Sequence, residues 1–207
     1  MRIVIVGAGG FGREILDTIK YINRIEQTYE IVGFIDNVIQ KGTLVNGIAV
    51  LGSNEVLQSI INTSLIIGFA DPFHRKIFFE MYRNTFHFPV IIHPTAIVSE
   101  YCEINDGSII QAFSIVAANA SVGYCVVLNA RSGIGHDSKI GSFTSIQSFC
   151  DITGNNVLGN LCFLGTGVKL IPNLKIADEC YLCAGTVVFK DLAYKSKVIG
   201  NPGKIIN

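Results

Sequence analysis

The stretch Asn129-Ala130-Arg131-Ser132-Gly133-Ile134-Gly135-His136-Asp137 gathers the groups best suited to chemistry. An imidazole titrates near neutrality, so His136 is a natural base for an amine or a hydroxyl. Glycines at 133 and 135 thin the chain wall around it and favour a site; the plainer reading is a surface histidine without a role. Gly154 follows His136 by 18 residues. If the chain coils with that period, the bare Gly154 N–H lies beside the base and can donate to an oxyanion; the plainer reading is a permissive turn before Asn155-Asn156. A second constellation, Gly7-Ala8-Gly9-Gly10-Phe11-Gly12-Arg13, follows an apolar strand and opens a helix. Glycines there let backbone approach a phosphate at a helix N-terminus. Asp36 closes the next strand, where an acid can bond a ribose hydroxyl. The alternative is a tight strand-to-helix turn with no ligand.

The elements that position His136 are set by a repeat. Every sixth residue from Val98 to Val188 is aliphatic, sixteen in unbroken phase. Four residues after each aliphatic the side chain is usually small, as at Ser108, Ser114, Ser132, Ser138, Thr144, Cys150, Cys162 and Cys180, with Asn156 and Leu174 as exceptions. This is the hexapeptide pattern of a parallel β-helix, three hexads to each 18-residue coil. The aliphatic residue fills the axis, and the small residue is expected to let the chain turn the corner. The column two residues after each aliphatic contains Glu100, Asp106, Ser142, Ser148, Asn160 and Asp178, so it faces outward, and His136 with it.

Residues 1–92 read differently. Strands are expected at Arg2–Val6, Glu30–Ile35, Ser64–Ile67 and Phe88–Ile92. Phe11, Ile15, Ile19 and Ile22 recur at helical spacing. Ser53 is a candidate cap for a short helix, and Asp71-Pro72 starts another. Alternating strands and helices imply a small parallel sheet, an α/β Rossmann-like domain too short for a full dinucleotide fold, so a mononucleotide fits it better than a redox cofactor. The expected organisation is a Rossmann-like nucleotide-binding domain over 1–92 and an all-β helix over 93–207 with a short C-terminal tail.

Composition narrows the partners. The 207 residues are 49% hydrophobic and 15% charged, with zero formal net charge, so nothing recruits nucleic acid or a membrane surface. Mean hydropathy is +0.45, yet no apolar run approaches the ~18 residues a membrane span needs. Met1-Arg2-Ile3-Val4-Ile5-Val6-Gly7 runs straight into a strand and a glycine turn, and the expected location is cytoplasmic. Cys180 and Cys183 have two residues between them, but no second pair or nearby histidine completes a zinc set, and no metal is expected. A zinc β-helix enzyme would need about three converging histidines, and this chain has one usable histidine. Four of the six cysteines fall in the small-residue column and read as buried structural residues.

The Gly7–Glu14 turn GAGGFGRE, FIDN, HPTAIVS, the hexads with NARSGIGHDSKIG and the final VIGNPGKII together resemble the NeuD/PglD-like sugar acetyltransferases, across essentially the whole chain. That resemblance implies a left-handed coil and a homotrimer with acetyl-CoA lying between neighbouring coils as acetyl donor. It also implies a nucleotide-linked sugar held by the N-terminal domain, its sugar reaching the histidine. Carried over by position, His136 is the base and Asp137 the acid that orients it, where the family often has Glu. Gly154 gives its amide to the oxyanion and, with Gly165 and Ala184, meets acetyl-CoA. Gly7, Gly9, Gly10, Gly12, Arg13, Asp36, Asn37, Gly68 and Asn129 hold the nucleotide-linked sugar. Where some members carry a further histidine, this chain has Ser145. The activity expected is direct N-acetylation of an amino sugar for a surface glycan. The alternatives are O-acetylation of a sialic acid-type sugar or a non-catalytic nucleotide-sugar-binding protein.

Overall fold

The computed structural model describes residues 1–206, which form two compact units, Met1–Pro89 and a second from Val90 onward. In the first unit, β1 (Arg2–Val6), α1 (Gly10–Ile25), β2 (Glu30–Ile35), β3 (Leu44–Val45), β4 (Ile48–Gly52), β5 (Ser64–Ile67) and α2 (Pro72–Tyr82) follow in order. The sheet order is β3-β4-β2-β1-β5, parallel except for the β3–β4 hairpin. Ile3, Val4, Ile5 and Val6 are all buried, which is why β1 is continuously apolar rather than alternating. Ile15, Leu16 and Ile19 form the buried face of α1.

Tight backbone packing joins the first turn of α1 to the strands. A Cβ at Gly12 would overlap the Gly7 carbonyl oxygen, and one at Gly68 would lie 2.9 Å from both Gly12 Cα and that oxygen. By contrast, a Cβ at Gly9 or Gly10 would meet nothing within 4 Å. At α2 the Asp71 carboxylate accepts from the His74 N–H (2.8 Å), and Pro72 occupies the first turn where its missing N–H does no harm.

Three details depart from the expected elements. The β3–β4 hairpin was not anticipated, although its loop is Asn46-Gly47 with φ of 48° and 83°, a left-handed pair suited to a two-residue hairpin. Ser53 precedes a 3-10 turn (Asn54–Ser59) rather than an α-helix, and only its backbone carbonyl accepts, from Val56 N–H at 3.1 Å. The last expected strand shortens to Ile91–Ile92, which pairs with Ile109–Ile110 and so is the first strand of the coils.

The second unit is a left-handed parallel β-helix. Two-residue strands stack with an 18-residue register, for example Ile115, Gly133, Asp151 and Lys169, into three sheets of six, five and eight strands, the last counting two three-residue strands at its C-terminal end. The aliphatic column lies inside: Ile110, Val122, Leu128, Ile146, Leu164 and Leu182 are fully buried. The chain closes with an antiparallel pair, Lys197–Ile199 and Lys204–Ile206. No helix among the described residues is long and apolar enough to cross a membrane.

The corners are turned differently from the sequence expectation. The left-handed residue comes three positions after the aliphatic, at Phe113, Asn119, Cys125, Arg131, Asp137 and their successors, with φ between 51° and 67° from Phe113 to Glu179 among non-glycines. The small residue at the fourth position lies buried inside the corner and joins one coil to the next. Thr144 Oγ1 donates to Gly159 O (3.0 Å) and accepts from Cys162 N–H (3.1 Å); Ser138 Oγ does the same with Thr153 O (2.9 Å) and Asn156 N–H (3.1 Å). A buried amide with no partner would be costly, so this column favours hydroxyls and not merely small volume. Asn156 performs the task with a longer group, accepting from Leu174 N–H (3.0 Å) and donating to Thr153 O (2.8 Å). Thiols of Cys150, Cys162 and Cys180 point at carbonyls of Gly165, Ala177 and Ala193 (3.2, 3.3 and 3.2 Å). All six cysteines are free, and burial pushes the Cys150 thiol up to about 11.

Two outcomes follow. Thr144→Val preserves shape but strands the Cys162 amide and the Gly159 carbonyl, and should cost about 1–3 kcal/mol, read as a lower unfolding midpoint at fixed protein concentration. Gly12→Ala should destabilise by roughly 1–3 kcal/mol through overpacking, whereas Gly10→Ala, in open space at the helix start, should leave the midpoint unchanged or raise it.

Candidate active site

His136 and Asp137 occupy the corner after the strand Gly133–Ile134. The corner holds them firmly: the Asp137 N–H donates to Ala118 O (3.0 Å), and the His136 carbonyl accepts from Asn155 N–H (2.9 Å). The ring itself is open to solvent, its side chain 62% exposed. His136 Nδ1 lies 2.7 Å from Asp137 Oδ2, while Asp137 Oδ1 accepts from Asn119 Nδ2 at 3.1 Å. The bonds from His136 and then Asn119 hold the Asp137 carboxyl below the usual carboxylate range. A carboxylate carries no proton to give, so in the neutral ring Nδ1 bears the hydrogen and Nε2 the lone pair.

Gly154 is one coil on, directly against the ring. A Cβ at Gly154 would fall 2.5 Å from His136 Nε2 and 2.6 Å from Cε1. A Cβ at Gly135 would fall 2.6 Å from the Gly154 nitrogen. Gly154 must therefore be bare for the imidazole to lie where it does, and Gly135 must be bare for the backbone of the next coil to pass it. The Gly154 amide also differs from its counterparts on the neighbouring corner. There three successive outward amides are capped by the side chain one coil later: Tyr124 N–H by Ser142 Oγ (3.1 Å), Ser142 N–H by Asn160 Oδ1 (2.8 Å), Asn160 N–H by Asp178 Oδ1 (2.8 Å). On the His136 corner the successor of Gly154 is Pro172, which has no side-chain acceptor to offer.

Gly165 and Ala184 lie elsewhere. They follow the strands Phe163–Leu164 and Tyr181–Leu182, at the corner that precedes the His136 corner along each coil, and a Cβ at Gly165 would come within 2.6 Å of the Ala184 nitrogen. Asn129 belongs to that corner too, its amide donating to Gln147 Oε1 (3.0 Å). Beside it the Arg131 guanidinium lies over Phe113 and Phe149, 5.9 and 5.4 Å from the ring centroids, a cluster that sequence reasoning missed. Ser145 is buried.

In the N-terminal unit a cavity of about 570 Å³ opens beyond the C-terminal ends of β1 and β2, where ligands of open α/β sheets bind. Gly7, Asp36 and Asn37 line it, as do Asn54, Asp71 and His74, with Phe69, Ile77, Phe78 and Met81 as apolar walls. Gly9, Gly10, Gly12, Arg13 and Gly68 are not among its walls. Gly12 and Gly68 serve close packing, whereas Gly9 and Gly10 expose backbone at the start of α1. Asp36 does more than wait for a ribose: Oδ2 accepts from Ala8 N–H (2.9 Å), and Oδ1 from Val38 N–H (2.9 Å) and Ile39 N–H (3.0 Å). Burial pushes its carboxyl up, but these three donors outweigh burial and hold it low. The walls contributed by α2 escaped the sequence reading because Asp71-Pro72 signals only a helix start.

Residues 2–82 match the PglD N-terminal domain family. The GDP-perosamine N-acetyltransferase of Escherichia coli O157:H7 is 28% identical over 179 residues, covering 82% of this chain and 79% of that protein. The acetyltransferase domain of PglB from Neisseria gonorrhoeae FA1090, solved in complex with acetyl coenzyme A, is 26% identical, with 99% of this chain and 98% of that one covered at a TM-score of 0.92. A variant of perosamine N-acetyltransferase from Caulobacter crescentus, in complex with CoA and GDP-perosamine, shares the fold at a TM-score of 0.94 and 24% identity, over 100% of this chain and 97% of that one. Residues 2–82 thus form a PglD-type N-terminal domain, hexapeptide coils follow it, and the similarity to sugar N-acetyltransferases runs through both units.

Proposed function

We propose that this chain transfers acetyl from acetyl-CoA to the amino group of a nucleotide-linked sugar, in the cytoplasm, as a homotrimer, for a surface glycan. The observation that carries the reading is the outward imidazole held through Nδ1 by Asp137, with Nε2 against the bare Cα of Gly154. The relatives named for GDP-perosamine support an amino sugar on a nucleoside diphosphate as acceptor.

In this reading His136 Nε2 takes a proton from the acceptor amine as its nitrogen attacks the thioester carbonyl carbon. The carbonyl π electrons move to oxygen, and the uncapped Gly154 N–H donates to that oxyanion. Collapse re-forms the carbonyl and breaks the C–S bond. The proton held by His136 leaves with the CoA thiolate, and the base is restored. Asp137 stays ionised throughout and stabilises the imidazolium that forms between the two steps. No acyl-enzyme is needed, which suits cysteines that lie mostly inside the coils.

The cavity with Gly7, Asp36 and Asn37 is assigned to the nucleotide, and the open amides of Gly9 and Gly10, with Arg13, to its phosphates. Gly154, Gly165 and Ala184 are assigned to acetyl-CoA, and Asn129 to the sugar. The donor residues sit on two corners of the β-helix, separated by a sheet face. One donor molecule can meet both corners if a second chain brings its Gly165 corner to the first chain's His136 corner, and threefold closure suits the triangular section.

Purified protein incubated with acetyl-CoA and a panel of nucleotide amino sugars should give a product heavier by one acetyl group by mass spectrometry; acetylation of hydroxyl-only acceptors alone would favour O-transfer, and no product with any acceptor would favour a binding protein. His136→Ala should lower kcat by about a hundredfold or more with the fold unchanged, because the side chain is exposed. Mixing His136→Ala with Ala184→Glu, each inactive alone, should restore part of the activity once subunits exchange. An active monomer in light scattering at assay concentration would refute the shared site.

A further inference from the structure

We infer that Asn119 is a positioning residue for the His136–Asp137 pair: its side-chain amide fixes the carboxylate that holds the imidazole. The inference rests on His136 being the base and adds a third member to the arrangement. Asn119 lies one coil before Asp137 in the same corner column, and both residues have φ of 59°. Its Nδ2 donates to Asp137 Oδ1 at 3.1 Å, while Oδ2 faces His136 Nδ1 at 2.7 Å. The carboxylate is thus gripped at both oxygens, one from the coil before and one from its own coil. An amide oxygen turned toward the carboxylate would set acceptor against acceptor, so the amide orientation is dictated.

The corner conformation alone does not require asparagine there. Asparagine tolerates a left-handed backbone better than most residues, yet the same column type elsewhere in the helix carries Phe113, Cys125, Arg131, Phe143 and Leu161 at similar φ. A polar amide is needed at 119 for the group it meets. Asp137 is open to solvent, so without a second anchor its carboxylate can turn about its last torsion and exchange the imidazole for water. The two hydrogen bonds also keep it ionised, which keeps the hydrogen on Nδ1 and the lone pair on Nε2. Three successive coils then each supply one part: Asn119 the anchor, His136 with Asp137 the base, Gly154 the amide that meets the oxyanion.

Two substitutions separate this role from a structural one. Asn119→Gly removes the amide and fits φ of 59° without strain. Asn119→Asp keeps shape and backbone preference but sets a negative charge against Asp137. Two measurements on the full-length protein read the result: steady-state kinetics with acetyl-CoA and GDP-perosamine, or the panel acceptor that turns over, and the imidazole ¹⁵N shifts of His136 in ligand-free protein, which need no acceptor. Asn119→Gly should lower kcat roughly tenfold, with both KM values within about twofold, and Asn119→Asp should lower it about a hundredfold. The neutral His136 ring should lose its preference for hydrogen on Nδ1 in Asn119→Gly. On an Asp137→Ala background, Asn119→Gly should cost nothing further. Wild-type tautomer and kcat in both Asn119 variants, with His136→Ala inactive, would overturn this inference and leave the base reading intact. A loss that adds in full to that of Asp137→Ala would also overturn it. Wild-type kcat in His136→Ala would instead remove the base reading, and this inference with it.

Discussion

A ladder of backbone hydrogen bonds with an 18-residue register is the constraint on which the catalytic unit depends. Gly133 N–H to Cys150 O (2.9 Å), Gly135 N–H to Ile152 O (2.6 Å) and Asn155 N–H to His136 O (2.9 Å) are three of its rungs around the site. Such a ladder stacks residues 18 apart at about 4.8 Å. Because every coil has three equal sides, it sorts the chain into columns, and each column has one environment. A group at one position then meets the groups 18 residues before and after it, whatever their types. Chemistry arises where the column departs from its habit, as where side chains are missing above His136.

That departure has a physical logic. Outward amides on one corner are capped by the next coil's side chain, as Ser142 is by Asn160. At the His136 corner the successors are Gly154 and Pro172, and the cap disappears. Removing a side chain at 154 also makes room for the ring, since a methyl there would lie 2.5 Å from Nε2. Glycine gives up conformational entropy on folding, and the buried aliphatic axis and the hydroxyl bonds between coils supply the rigidity that compensates. The base therefore sits on a stiff scaffold, with its backbone hydrogen-bonded on both sides, rather than on a mobile loop.

The N-terminal unit uses its polar groups for structure first. Asp36 organises its own loop and the glycine turn by accepting from Ala8, Val38 and Ile39. Gly12 and Gly68 let backbone meet backbone around Gly7. A glycine fingerprint thus mixes two kinds of position: those that must be bare to fold and those, such as Gly9 and Gly10, that are bare toward solvent at a helix start. Sequence spacing does not distinguish them, because both require the same residue.

Much of this molecule was legible in the order of its residues. Strict six-residue periodicity determines a coiled parallel sheet, since only that geometry buries every sixth side chain on one axis. Apolar runs at Arg2–Val6, Glu30–Ile35 and Ser64–Ile67 determined three adjacent parallel strands of the N-terminal sheet. His136 was readable as outward-facing, and Gly154 as its neighbour, because both depend on period alone. Period could not say which corner residue bends, so the left-handed turn at the third position and the hydroxyl bonds at the fourth emerged only in three dimensions. Nor could it reveal that Asp137 has two partners, one of them on the preceding coil. Those facts depend on side-chain torsions and on contact between coils, and a hydrogen bond is decided by where two atoms end up, not by how far apart their residues stand in the chain.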